Sequence, residues 1–228
     1  GLGIEKFLQF KKYRHICNLI FKNMAKKLIS KPHPWHGIPI GKDAPNKVTA
    51  FIEMVPSDTC KYEIDKETGY LMIDRPQKFS NIIPALYGFV PKTYCGPKTA
   101  KFCSEKINRE VSGDCDPLDI CVFTEREITH GNILVEAKVI GGMRMIDGGE
   151  ADDKIIAVLA QDEVYDFDDI KDAPLRLINR LKHYFLTYKQ IPGEEAPKCE
   201  ITHVYGAEEA KKVIELSVED YKDLYPDD

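Results

Sequence analysis

The stretch Gly113-Asp114-Cys115-Asp116-Pro117-Leu118-Asp119-Ile120-Cys121-Val122-Phe123 packs three aspartates into six residues and runs straight into an apolar segment. On an extended chain Asp114 and Asp116 share a face, and Pro117 predicts a kink that turns Asp119 toward the same side. Three carboxylates then converge at the head of a β-strand. Like charges about 4 Å apart repel by roughly 4 kcal/mol per pair at an effective dielectric of about 20, so the cluster needs cations. Hard oxygen donors suit Mg²⁺, Mn²⁺ or Ca²⁺. An EF-hand loop is excluded, because its sixth position requires Gly and this chain has Asp119 there. A solvated acidic turn capping a strand is the alternative for this motif taken alone.

Outward from this motif, short β-like runs follow one another: Val48–Val55, Lys61–Ile64, Tyr70–Asp74, Ile120–Phe123, Asn132–Ile140 and Ile155–Ala160. The second and third are joined by Asp65-Lys66-Glu67-Thr68-Gly69, a hairpin connection with Gly at its end. Helical periodicity comes late. Pro174 opens one segment, in which Leu175, Ile178, Leu181, Phe185 and Tyr188 recur until Pro192-Gly193. A second begins near Ala207, with Ala210, Val213, Ile214, Ser217, Val218 and Tyr221 on one face. Strands first and helices last predict an α+β domain, a barrel or sheet flanked by two C-terminal helices.

A second acidic cluster, Asp147-Gly148-Gly149-Glu150-Ala151-Asp152-Asp153-Lys154, again precedes an apolar strand, and its glycines let the loop fold carboxylates inward. On the hairpin Lys61 and Glu63 alternate with Tyr62 and Ile64, and Arg75 closes the return strand. Such alternation also describes a solvated face. Tyr188-Lys189 offers a phenol and an ammonium to an anion, or one core and one surface residue. His33-x-x-His36 lies in a Pro-rich segment without Cys or carboxylate neighbours, and Trp35 reads as the anchor of that segment. Walker, dinucleotide-binding, nucleophile-elbow and His-Glu-x-x-His patterns are all absent from the sequence.

Charge divides the chain. Of its 228 residues, 1–31 carry eight Lys/Arg against Glu5, a net of +7, whereas the remainder holds 24 Lys/Arg against 36 Asp/Glu, a net of −12. An acidic body repels nucleic acid, and any anionic substrate needs local cations. The basic arm alternates with apolar residues as transit peptides do, yet lacks Ser before Ser30, and Met24 reads as an alternative start with 1–23 as upstream sequence. Residues 32–47, rich in Pro and Gly, read as a linker, and 48–228 as the domain. Seven cysteines without a Cys-x-x-Cys pair read as reduced thiols of a cytoplasmic protein. The longest apolar run, Ile155–Ala160, is too short for a membrane-spanning helix.

Together the motifs resemble the family I soluble inorganic pyrophosphatases, over about Val48 to Lys189. The family's Asp-x-Asp-Pro-x-Asp stands as Asp114, Asp116 and Asp119; its Lys-x-Glu as Lys61 and Glu63; its hairpin arginine as Arg75. The Tyr-Gly segment stands as Tyr87-Gly88, the later Asp and Asp-x-Lys as Asp147, Asp152 and Lys154, the helical Tyr-Lys as Tyr188 and Lys189, and the early glutamate before Pro as Glu53. Ile83 and Leu86 depart from the common pattern, which has an aromatic before the Pro and Asn two residues after it. The segment Cys95–Ser112 reads as an insertion and, with Asp74–Ser80 and Pro34–Gly37, looks most like the chlamydial-type branch.

The resemblance implies a small closed five-stranded β-barrel of OB type. It implies hydrolysis of pyrophosphate to two orthophosphates by a metal-activated water, with Asp116 as general base. Asp114, Asp119 and Asp152 would hold the tightest Mg²⁺, Asp147 and Glu63 further ions, with Mn²⁺ or Zn²⁺ as substitutes. Lys61, Arg75, Tyr87, Lys154, Tyr188 and Lys189 would bind phosphate oxygens, with Glu53 in support. A homo-oligomer, hexamer or dimer, is also implied, without nucleic acid or membrane. The competing function is an inactive metal- and phosphate-binding homologue acting as an interaction module.

Overall fold

Alternate residues along the barrel strands feed two separate cores. In the computed structural model, which describes residues 31–195 and 199–226, Val48, Ala50 and Ile52 point to one face of β1 (Lys47–Met54) and meet Ile120 and Val122 of β6 (Asp119–Phe123). Ala137 and Val139 of β7 (Ile133–Asp147) and Ile155 and Ala157 of β9 (Lys154–Leu159) complete the same cluster. The intervening residues Cys121, Phe123, Ile156 and Val158 form a second core against a helix outside. Strands buried on both faces read as near-continuous apolar runs, which is why these segments stand out in the sequence.

The pairing closes. β1 is antiparallel to β4 (Leu86–Phe89), β4 to β6, β6 parallel to β9, β9 antiparallel to β7, and β7 returns to β1. This ring is the closed five-stranded barrel that the resemblance implies, and closure leaves none of its strands with an open edge. The hairpin β2 (Cys60–Ile64) and β3 (Leu71–Pro76) forms a separate two-stranded sheet. Two short strands, β5 (Ser112–Gly113) and β8 (Glu150–Ala151), extend the main sheet, and β10 (Cys199–Gly206) pairs with β7.

Three differences from expectation have physical causes. β7 continues seven residues beyond Ile140, through Gly141-Gly142, because its far half pairs with β10 and β8 after a register shift at Val139/Gly141. The segment read as an insertion contains a third helix, α1 (Pro97–Ile107), beside the expected α2 (Leu175–Thr187) and α3 (Ala207–Leu224). No acidic residue in its own first turn announces α1. Its backbone donors are met by Asp220 of α3, whose carboxylate accepts from Gly96 N (3.1 Å), Lys98 N (3.0 Å) and Thr99 N (2.9 Å). Leu175, expected on the buried face of α2, is 71% exposed, and burial starts at Ile178.

His33–Asp228 form one compact unit. Trp35 is buried in it, donating Nε1–H to Thr93 O at 2.8 Å and packing edge-on against Tyr225. The basic arm up to Ser30 lies outside the described residues. No helix among the described residues is long and apolar enough to cross a membrane.

Candidate active site

The acidic motif is held by a turn rather than by strand alternation. Cys115 takes a left-handed conformation (φ 64°) and Asp116 N–H donates to Asp114 Oδ1 at 3.0 Å. The expected kink thus falls at Cys115 rather than at Pro117. A side-chain carboxylate that accepts from a backbone N–H two residues on closes such a turn locally. Cys95 and the motif are stitched together by Cys95 N–H to Asp116 O (2.8 Å) and Cys115 N–H to Cys95 O (3.2 Å).

Parallel pairing sets Asp119, first residue of β6, beside Lys154, first residue of β9. The Lys154 ammonium contacts both Asp119 and Asp152, and Tyr87 OH donates to Asp119 Oδ2 at 2.6 Å. Burial pulls the Lys154 ammonium down, but the Asp119 and Asp152 charges more than reverse this and hold it well above its ordinary range. Burial, followed by the charge on Asp152, pushes the Asp114 carboxyl up to about 9. Burial likewise raises the Tyr87 and Tyr188 phenols.

On the hairpin Lys61 stands opposite Arg75, and its ammonium bonds Glu63 Oε2 (2.7 Å) and Asp74 Oδ2 (3.0 Å). Glu53, buried near the end of β1, accepts from Ile64 N–H at 2.8 Å and so ties hairpin to barrel. Asp147 closes β7 and meets the ammonium of Lys189, which follows the C-terminal cap of α2 at Tyr188.

These elements enclose one cleft of about 390 Å³. Glu53, Lys61, Glu63, Arg75, Tyr87, Asp114, Asp116, Asp119, Asp147, Asp152, Lys154, Tyr188 and Lys189 all line it. Lys66, Glu150, Tyr184 and Phe185 line it as well, beyond the site residues expected from the sequence. Tyr184 precedes Tyr188 by one helical turn, and their rings stack at 5.3 Å, so helical spacing would have found it. Lys66 had no signal: it sits on the hairpin turn, and its ammonium meets Asp116, 50 residues further along the chain. Ile83 and Leu86, the departures from the family pattern, are buried in the core and do not line the cleft.

Among the described residues no three His, Cys, Asp or Glu side chains form a cage for an ion by themselves. The donor set is nevertheless one of carboxylate oxygens, with Asp114 too costly to ionise without an added cation. That chemistry fits hard divalent ions, which keep several waters and take their remaining ligands from one or two carboxylates plus substrate phosphates.

A family model described as inorganic pyrophosphatase matches residues 50–222. The chain belongs to the inorganic pyrophosphatase family. It is 51% identical over 208 residues to an inorganic pyrophosphatase of Chlamydia muridarum, covering 89% of this chain and all of that protein. It is 39% identical over 194 residues to soluble inorganic pyrophosphatase 2 of Chlamydomonas reinhardtii, covering 85% and 90% of the two chains. The crystal structure of the Thermus thermophilus inorganic pyrophosphatase superposes with a TM-score of 0.70 at 27% identity, covering 84% of this chain and 99% of that one. Membership in the inorganic pyrophosphatases makes this chain a pyrophosphate-hydrolysing enzyme and implies a divalent metal requirement. Nothing in these likenesses favours an inactive binding module.

Proposed function

We propose that the cleft hydrolyses inorganic pyrophosphate with Asp116 as general base, Asp114, Asp119 and Asp152 as the main holders of Mg²⁺, and Asp147 and Glu63 as ligands of further ions. The supporting observation is the gathering of these carboxylates with Lys61, Arg75, Lys154 and Lys189 in one cleft. When bound, Mg²⁺, or Mn²⁺ or Zn²⁺ in its stead, acidifies water it carries and screens phosphate charge.

The protein's own groups do the rest. Asp116, at the cleft wall, takes a proton from the water whose oxygen attacks phosphorus, while the bridging P–O bond breaks and its electron pair leaves with the second phosphate. Lys61, Arg75 and Lys189 hold phosphate oxygens, and their charge offsets that developing on the leaving phosphate. Lys154, paired with Asp119 and Asp152, is the ammonium that a substrate phosphate would draw away. Tyr87 and Tyr188 add O–H donors, and Glu53 supports the hairpin carrying Lys61 and Glu63.

In this reading residues 48–228 carry the catalytic chemistry, 32–47 are the linker that wraps onto them with Trp35 buried, and 1–31 are a basic arm. The enzyme works as a homo-oligomer, hexamer or dimer, in the cytoplasm, where free thiols such as Cys60 and Cys115 are at home. The test is phosphate release from pyrophosphate by the purified chain with Mg²⁺, then with excess chelator. Release that the chelator abolishes is expected. A folded protein inactive with Mg²⁺ and with Mn²⁺ would overturn the assignment.

A further inference from the structure

Behind the cleft lies a buried ionic cluster that the reaction itself does not use. Asp153 separates two residues of the cleft wall, Asp152 and Lys154, and on an extended chain its side chain points the other way. There its Oδ2 accepts from Arg144 Nε (3.3 Å), Arg144 Nη2 (3.1 Å) and Tyr205 OH (2.7 Å). Oδ1 has no partner among the described residues.

Arg144 is fully buried on β7. Its Nη1 donates to Glu209 Oε1 of α3 at 2.8 Å and lies 3.1 Å from His203 Nε2 of β10. The guanidinium carbon sits 4.8 Å above the Tyr205 ring and 5.4 Å from the Phe102 ring of α1. One side chain thus joins β7, β10, α1 and α3 to the residue between Asp152 and Lys154.

Stability does not account for such a pair. Removing two charges from water is costly, a well-packed apolar pair of similar volume is often as stable or more so, and here one carboxylate oxygen is left unmet. What an ion pair with three directed hydrogen bonds supplies, and an apolar pair does not, is orientation.

We propose that Arg144 and Asp153 are positioning residues for the reaction: their pairing sets the rotation of the Asp152–Lys154 segment, so that Asp152 and Lys154 meet Asp119 in the cleft. This rests on the reading of Asp152 as an ion holder and Lys154 as a phosphate ligand.

The test replaces the pair by apolar residues, Arg144→Met with Asp153→Leu, and measures urea unfolding, steady-state kinetics and calorimetric titration with Mn²⁺ alone. The expected result is an unfolding midpoint close to that of the parent, kcat lower by about 10- to 100-fold, as a displacement of about 1 Å produces, and KM changed by less than about threefold. Mn²⁺ binding weakens by about tenfold. Arg144→Lys, which keeps the charge, recovers part of kcat. If the double variant does not fold, Tyr205→Phe removes only the 2.7 Å bond to Asp153, and a kcat reduced severalfold at unchanged KM is expected. Parental kcat and Mn²⁺ affinity in a folded double variant, or in Tyr205→Phe when the double variant is unfolded, would overturn the positioning role. Asp152→Asn is run alongside: loss of Mn²⁺ binding there with a normal double variant faults only the positioning role, whereas parental Mn²⁺ binding and turnover in Asp152→Asn overturn both it and the reading of Asp152 as an ion holder.

Discussion

Asp116 differs from its neighbours in how much water it meets. Its side chain is 46% exposed, against 22% for Asp119 and 15% for Asp152. A carboxylate at the wet wall of the cleft is open to water, whereas Asp119 and Asp152, less exposed, are held against the Lys154 ammonium. Asp116→Asn keeps shape and removes the proton acceptor. Turnover is expected to fall by about 10² to 10⁴-fold with the unfolding midpoint unchanged. Phosphate-release kinetics beside urea unfolding check this, and undiminished turnover would reassign the base. Lys66 belongs to the same scale: its ammonium meets Asp116, yet both side chains are about half exposed, so the pair contributes little to stability.

Two elements depend on atoms far away in sequence. β4 approaches β1 so closely that a Cβ on Gly88 would lie 1.8 Å from Phe51 O. Gly88→Ala therefore has to push β4, and Tyr87 with it, away from the barrel. A loss of about 3 kcal/mol in urea unfolding is expected, with reduced turnover in whatever protein folds. Stability equal to the parent would mean that the strands can separate at no cost. Helix α1 has its cap on α3: Asp220 meets three of its backbone donors and the Thr99 hydroxyl (2.8 Å). Asp220→Ala leaves these donors buried without a partner and is expected to cost about 2 kcal/mol. Hydrogen exchange should show α1 opening before the barrel strands do. Uniform protection across both would argue against this dependence.

Across the whole molecule, stability is linked to pH through Glu53. Burial pushes its carboxyl from an ordinary 4.5 up to about 8, only partly opposed by the hydrogen bond from Ile64 N–H. The folded protein therefore keeps a proton that the unfolded chain releases. This contribution is fully present below 4.5 and is lost as pH rises through about 8. In chelator-treated protein, stability is expected to drop by on the order of 2 kcal/mol between pH 6 and 8 from this group, since one pKa unit is worth about 1.4 kcal/mol. Glu53→Gln, which cannot ionise, should flatten that slope. Identical slopes in parent and variant would show that Glu53 is ionised in the fold at neutral pH.

Much of this protein was determined by its sequence alone. Near-continuous apolar runs made most of the barrel strands legible, and separated motifs in a fixed order carried the resemblance to the pyrophosphatases. Of the residues that gather in the cleft, the acidic clusters were legible because charged groups at strand ends and turns contradict the apolar runs beside them, whereas Glu53 and Tyr87 were legible only through the resemblance. Only the tertiary structure decided that β7 returns to β1 and closes the ring, that Cys95–Ser112 holds a helix, and that Lys66 reaches Asp116. It alone revealed the pairing of Arg144 with Asp153. Each of these rests on a contact whose partners lie outside any local window. Local periodicity carries the face on which a side chain lies, but not the side chain that it will meet there.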